Sequence, residues 1–81
     1  MRRIAKLAIN DEGFIFDPET GNSYTTNPTG LLILRMLKEG KGEEEIVKAL
    51  TEEFGAEEEE ARRDLYDFLE QLRAYGLVEG V

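Results

Sequence analysis

With 81 residues, 41% of them hydrophobic and 35% charged, the chain has the composition of one folded domain with a modest core. It contains no cysteine and no histidine, which removes disulfides and thiolate centres and leaves zinc without its usual ligands. Its net charge of −8 opposes phosphate backbones and anionic lipid, so neither nucleic acid nor a membrane surface is expected as a partner.

Taken in chain order, Met1-Arg2-Arg3 is basic, but Lys6 and then Asp11 and Glu12 interrupt the apolar residues after it, so no signal peptide is expected. No run approaches the ~18 apolar residues of a membrane span, and a cytoplasmic location is the expectation. Arg3 to Ile9, with Ile4, Leu7 and Ile9 as its larger apolar side chains, reads as a first strand. Asn10-Asp11-Glu12-Gly13 is a turn cluster in which glycine supplies a positive φ. Gly13 to Asp17 is rich in aromatic and β-branched residues and forms the second strand. Pro18 and Gly21 suit a second tight turn, after which Asn22 to Thr26 makes the third strand. Two successive hairpins give a three-stranded antiparallel meander.

At Asn27 the period changes. Asn27 is a good N-cap and Pro28 fits the first helical position, so a helix starts with no loop after the third strand. Leu31, Leu32, Ile33, Leu34, Met36 and Leu37 make this first predicted helix apolar around most of its girth, and Gly40 and Gly42 end it. A second runs from Glu43 to Phe54 with Ile46, Val47, Leu50 and Phe54 at helical spacing, and Gly55 comes just after it. The third runs from about Glu57 to Tyr75 with Ala61, Leu65, Phe68, Leu69 and Leu72 as its stripe. Gly76 stops it, and Leu77 and Val78 turn back to the core. The layout over residues 1–81 is a single α+β domain, three strands followed by three helices.

Little in this inventory does chemistry. Catalysis needs a nucleophile with a base, an acid–base pair in a cleft or a metal, and the Ser and Thr residues here lie in strand, turn and cap positions. The chain is therefore not expected to be an enzyme, and no cofactor is implied. Glu57 to Glu60 stand about 100° apart on a helix and cannot converge on one cation; acids in a first turn are favoured by the helix dipole. No metal site is expected. Asn27-Pro28-Thr29-Gly30 has the form of an anion site at a helix N-terminus, but Gly30 is more simply read as allowing close helix–sheet approach. A winged-helix DNA-binding regulator is the alternative reading of this layout, yet Arg62, Arg63 and Arg73 are outnumbered by acids on the helix that would enter a groove. What remains is the third strand, an edge without Lys or Pro to protect it. It is either covered, by the third helix or by a second copy in a homodimer, or used to capture a peptide.

The residues "YTTNPTGLLILRMLKEG", "EEIVKALTEEF" and "DLYDFLEQLRAYGLV" resemble the PqqD family, also called the RiPP recognition element, from about Leu7 to Val78. The most specific parts are Asn27-x-Thr29-Gly30 opening an apolar helix that ends at Gly40, and Leu65-x-x-Phe68-Leu69-x-x-Leu72 closing with Gly76-Leu77-Val78. Thr26 stands where leucine is common and Leu34 where tryptophan is frequent. The resemblance implies a winged-helix-like module that binds the leader of a ribosomally made precursor peptide. The leader adds as a strand antiparallel to the third strand, in the groove beside the third helix. It implies a strand wall of Ser23, Tyr24, Thr25 and Thr26, and a helix wall drawn from Arg62, Leu65, Tyr66, Phe68, Leu69, Leu72 and Arg73. It also implies a partner enzyme, a radical-SAM protein in the quinone-cofactor (PQQ) pathway or a leader peptidase in lasso-peptide pathways.

Overall fold

The computed structural model describes residues 2–78; Met1 and residues 79–81, at the two ends of the expected domain, lie outside the described residues. The elements are α1 (Arg2–Lys6), β1 (Ala8–Ile9), β2 (Phe14–Phe16), β3 (Ser23–Thr25), α2 (Pro28–Lys38), α3 (Glu43–Phe54) and α4 (Glu58–Ala74). The three predicted helices are α2, α3 and α4. The expected first strand is mostly a helical turn. Ile4 and Leu7 are three residues apart, a helical spacing rather than the alternate spacing of a strand; both are buried, and the Leu7 N–H donates to the Ile4 carbonyl at 3.1 Å. Lys38 Nζ of α2 then donates to the Leu7 carbonyl at 2.7 Å, which fixes this turn beside α2.

The sheet order is β1-β2-β3, antiparallel throughout, with Ala8 opposite Phe16, Ile15 opposite Tyr24, and Phe14 opposite Thr25. Because side chains alternate across a sheet, Ile9, Ile15 and Tyr24 face the helices, while Phe14, Phe16, Ser23 and Thr25 face outward. Both hairpin turns are held by acceptor side chains at their first residue. Asn10 Oδ1 accepts from the Glu12 and Phe14 N–H groups, each at 3.0 Å. The buried Asp17 carboxylate accepts from the Glu19 N–H and the Thr20 hydroxyl, each at 3.0 Å. Gly13 has φ 92°, and a Cβ there would lie 2.4 Å from the Thr26 carbonyl oxygen, so the residue is required by conformation and by space.

Ile33 and Leu34 of α2, Ile46, Val47 and Leu50 of α3, and Ala61, Leu65, Phe68 and Leu72 of α4 form the core with Ile4, Leu7, Ile15, Leu77 and Val78. Leu77 and Val78 return to it as expected, the Leu77 N–H donating to the Leu72 carbonyl at 2.9 Å. Phe54, placed on the core stripe by its spacing, is the last residue of α3 and is 46% exposed instead. No helix among the described residues is long and apolar enough to cross a membrane.

Candidate functional site

The direction of the outer edge of β3 is set by the hydrogen-bond ladder. The Asp17 N–H donates to the Asn22 carbonyl and the Thr26 N–H to the Gly13 carbonyl, both at 2.9 Å. Bonded pairs recur at every second residue of an antiparallel ladder, so Tyr24 is the bonded partner of Ile15 between these two. Ser23 and Thr25 consequently turn their N–H and C=O groups away from β2, and β3 has no strand on that side among the described residues.

Facing this edge is α4, held off from it. No Cα of β3 lies within 8 Å of a Cα of α4, whereas an additional strand needs about 4.8 Å from its neighbour. The space is a cleft of about 350 Å³ lined by Thr25, Thr26, Asn27, Thr29, Gly30, Ile33, Asp64, Asp67, Phe68 and Gln71. Its floor comes from the direct junction of β3 and α2. The Asn27 side chain accepts from the Gly30 N–H at 2.8 Å and Pro28 starts the helix, so there is no loop to fill the cleft. At Gly30 a Cβ would lie 2.0 Å from Thr26 Oγ1 and 2.8 Å from Phe68 Cε1. Gly30 thus serves close approach, chiefly to the Thr26 hydroxyl and the Phe68 ring. At the other end the Tyr24 and Tyr75 rings stack with centroids 4.6 Å apart and planes inclined by 28°, which ties β3 to the C-terminal cap of α4.

The residues expected to form the site divide between several surroundings. Ser23 and Thr25 are exposed on the outer sheet face, Tyr24 is half-buried against Tyr75, and Thr26 sits half-buried at the head of the cleft. On α4, Phe68 lines the cleft while Leu65 and Leu72 are buried in the core and Leu69 packs against it. Arg62 and Tyr66 reach α3. Arg62 is bidentate to Glu44 at 2.9 and 3.3 Å, bonds Glu58 at 3.1 Å, and also pairs with Glu43; the Tyr66 hydroxyl donates to Glu43 at 2.7 Å. Arg73 pairs with Glu70 on the exposed side. Helical geometry explains the division, since at 100° per residue Asp64, Asp67, Phe68 and Gln71 span about 100° of arc and Arg62, Tyr66 and Arg73 lie on the opposite side. The sequence reading left Ile33, Asp64, Asp67, Gln71 and Tyr75 out of the site, and took Asn27, Thr29 and Gly30 as a helix start rather than as cleft lining. The signal that could have found those on α4 was the polar stripe at 64, 67, 71 and 75 adjoining the apolar stripe at 61, 65, 68 and 72.

The Arg62 cluster fastens the start of α3 to α4 and so holds the far side of the cleft wall. The Tyr66 hydroxyl and then the Arg62 guanidinium hold the Glu43 carboxyl below the usual carboxylate range, and hydrogen bonding to Glu43 raises the Tyr66 phenol above its own. A carboxylate with a depressed folded-state pKa contributes stability above its unfolded value, about 4.3, and loses that contribution as pH falls through the folded value. Tyr66→Phe is therefore expected to move the Glu43 titration upward, towards the ordinary range, as followed by carboxyl chemical shifts. A Glu43 titration that does not change would show that the contact is absent in solution.

The profile of the family described as coenzyme PQQ synthesis protein D (PqqD) matches residues 12–78. Among solved structures, one described as TbiB1 in complex with the TbiA(beta) leader peptide is similar with 34% identity and a TM-score of 0.80, covering 93% of this chain and 88% of that one. A second, described as lasso peptide synthetase B1 complexed with the leader peptide, is similar with 28% identity and a TM-score of 0.73, covering 86% and 84%. No curated protein matches the chain significantly. The three-stranded antiparallel sheet followed by helices is shared with these neighbours, and with the profile extending over most of its length the chain belongs to the PqqD family.

Proposed function

We propose that this chain binds the leader segment of a ribosomally synthesised precursor peptide as a fourth strand, antiparallel to β3, and presents the remainder of the precursor to an enzyme. The observation that carries the reading is the outer edge of β3, unpaired among the described residues and facing the α4 cleft, in a chain similar to two proteins described as leader-peptide complexes. Backbone pairing supplies affinity that does not depend on sequence, and alternate side chains falling into pockets supply specificity. Phe68 offers the edge of its ring to such a side chain, with Ile33 buried, and Thr25 and Thr26 stand on the strand side. Ordering a disordered leader costs about 2–5 kcal/mol, so a site whose walls are already fixed, by the capped β3–α2 junction and the Tyr24–Tyr75 stack, retains more of the contact energy.

On this reading the chain acts as a binding module and leaves the chemistry to its partner. Similarity to a lasso peptide synthetase component favours a leader peptidase as that partner over a radical-SAM enzyme. Titrating the labelled chain with candidate leader peptides should shift the amide resonances of residues 23–26 and of the cleft face of α4, while duplex DNA should give no salt-sensitive gel shift. Amide shifts confined to β1 and β2 or to α3 would contradict the assignment.

A further inference from the structure

The cleft carries charge of one sign only. Asp64 and Asp67 line it, and none of its other lining residues carries a charge. Seven acids outside the cleft are matched, among them Glu43, Glu44 and Glu58 by Arg62 and Glu70 by Arg73, while others such as Glu52, Glu53, Glu59 and Glu60 on the outer surface pair with no base among the described residues. Asp64 and Asp67 make no ion pair or side-chain hydrogen bond with any described residue. Arg63, one turn before Asp67, is exposed and makes no ion pair with it. What distinguishes Asp64 and Asp67 is their place: the cleft presents two unmatched carboxylates beside the edge of the Phe68 ring and a row of backbone donors and acceptors.

The path of the chain gives this charge a direction. Thr25 and Thr26 share the cleft with Asp64, Asp67 and Phe68, whereas Tyr24 meets Tyr75 at the far end of α4. β3 and α4 thus run in opposite directions, and a strand added antiparallel to β3 runs parallel to α4. Its N-terminal half passes Asp64 and Asp67, and its C-terminal half leaves past Tyr75. We infer that the cleft selects a peptide strand carrying a lysine or arginine side chain in its N-terminal half, seated against Asp64 and Asp67, ahead of an apolar side chain on Phe68. This rests on the strand-addition reading and adds to it the charge class and position of the residue recognised. Complementary charge at a partly solvated rim acts chiefly on specificity and association rate.

The test uses a displayed library of random 12-residue peptides, panned on the full chain and on the Asp64→Asn/Asp67→Asn variant, an isosteric change at partly exposed positions. Panning on Glu52→Gln/Glu53→Gln, which removes the same charge from α3, is the control. The chain should enrich peptides with Lys or Arg towards the N-terminus. The enrichment should vanish with the Asp variant and persist with the Glu variant. For one enriched peptide, fluorescence anisotropy should show about five-fold weaker binding on Lys→Gln in the peptide. The same change should have no further effect once Asp64 and Asp67 are neutralised. Peptides that shift the amides of Ser23 and Thr25 but show no positional cation preference would overturn the inference and leave strand addition standing. So would a preference lost equally in both variants. If no enriched peptide shifts those amides, strand addition fails and the inference with it.

Discussion

Replacing Thr25 by proline is expected to weaken leader binding about ten-fold or more while the helices stay folded. The ladder alternation directs the Thr25 N–H outward, so its loss breaks no bond to β2. Proline is tolerated on an edge strand when the missing N–H faces away from the neighbour, and Tyr24 before it is already extended, as a residue preceding proline prefers. A bound strand loses a donor and meets the ring where its own backbone should lie. Thr25→Val, which keeps the N–H and the β-branched shape, should bind as the parent does. Circular dichroism and calorimetric titration together separate a lost edge from a lost fold. Normal binding by a folded Thr25→Pro chain would contradict strand addition.

The second large effect is expected at Gly30. An alanine Cβ cannot stand 2.0 Å from Thr26 Oγ1 and 2.8 Å from Phe68 Cε1, so the hydroxyl must rotate and the ring must shift towards the cleft. Overpacking of this kind costs about 1–3 kcal/mol, and alanine's better helix propensity returns less than about 1 kcal/mol of that. For a domain of this size a net loss of 1 kcal/mol lowers Tm by about 4–8 °C. Gly30→Ala should therefore melt earlier and also bind leader more weakly, because Phe68 moves into the space the peptide uses. Thr26→Ala in the same chain should restore part of the stability by removing the nearer obstacle. An unchanged melting temperature and affinity for Gly30→Ala would show that the floor is looser than the structure has it.

Where local chemistry decides the conformation, the sequence was readable. Asn27 and Pro28 mark the start of α2 because one accepts from the Gly30 N–H in the first turn and the other lacks a donor that its position does not use. Gly13 and Gly21 mark the hairpin turns through their positive φ, and the bounds of α3 are set by its acidic first turn and Gly55. Residues 3–9 misled because three large apolar side chains in seven positions fit a strand loosely and a helical turn equally well. What separated the two was tertiary, the burial of Ile4 and Leu7 together beside α2.

The strand half of the site was legible for the same reason the edge was: sheet order is dictated by two tight hairpins, and the last strand of a meander has one free side. The helix half was legible only in outline. Arg62, Tyr66 and Arg73 attract notice as large side chains able to bind a peptide, but their helical phase turns them to α3 or to the exposed side, where Glu43, Glu44, Glu58 and Glu70 engage them. Asp64 and Asp67 do not stand out in the sequence among the chain's eighteen acids. Their place in the cleft follows from the phase of α4 against β3 and α2, which is set by packing between elements that lie far apart in sequence.

The most direct test of the account is hydrogen exchange at the amides of β3, measured on the chain alone and saturated with a leader peptide that it binds. In the free chain the Ser23 and Thr25 amides should exchange rapidly and those of Tyr24 and Thr26 slowly, since only the latter pair with β2. With peptide bound, Ser23 and Thr25 should become protected to a similar degree. Protection of Ser23 and Thr25 before any peptide is added, or rapid exchange at both when the peptide is fully bound, would contradict the proposal that this edge receives the leader.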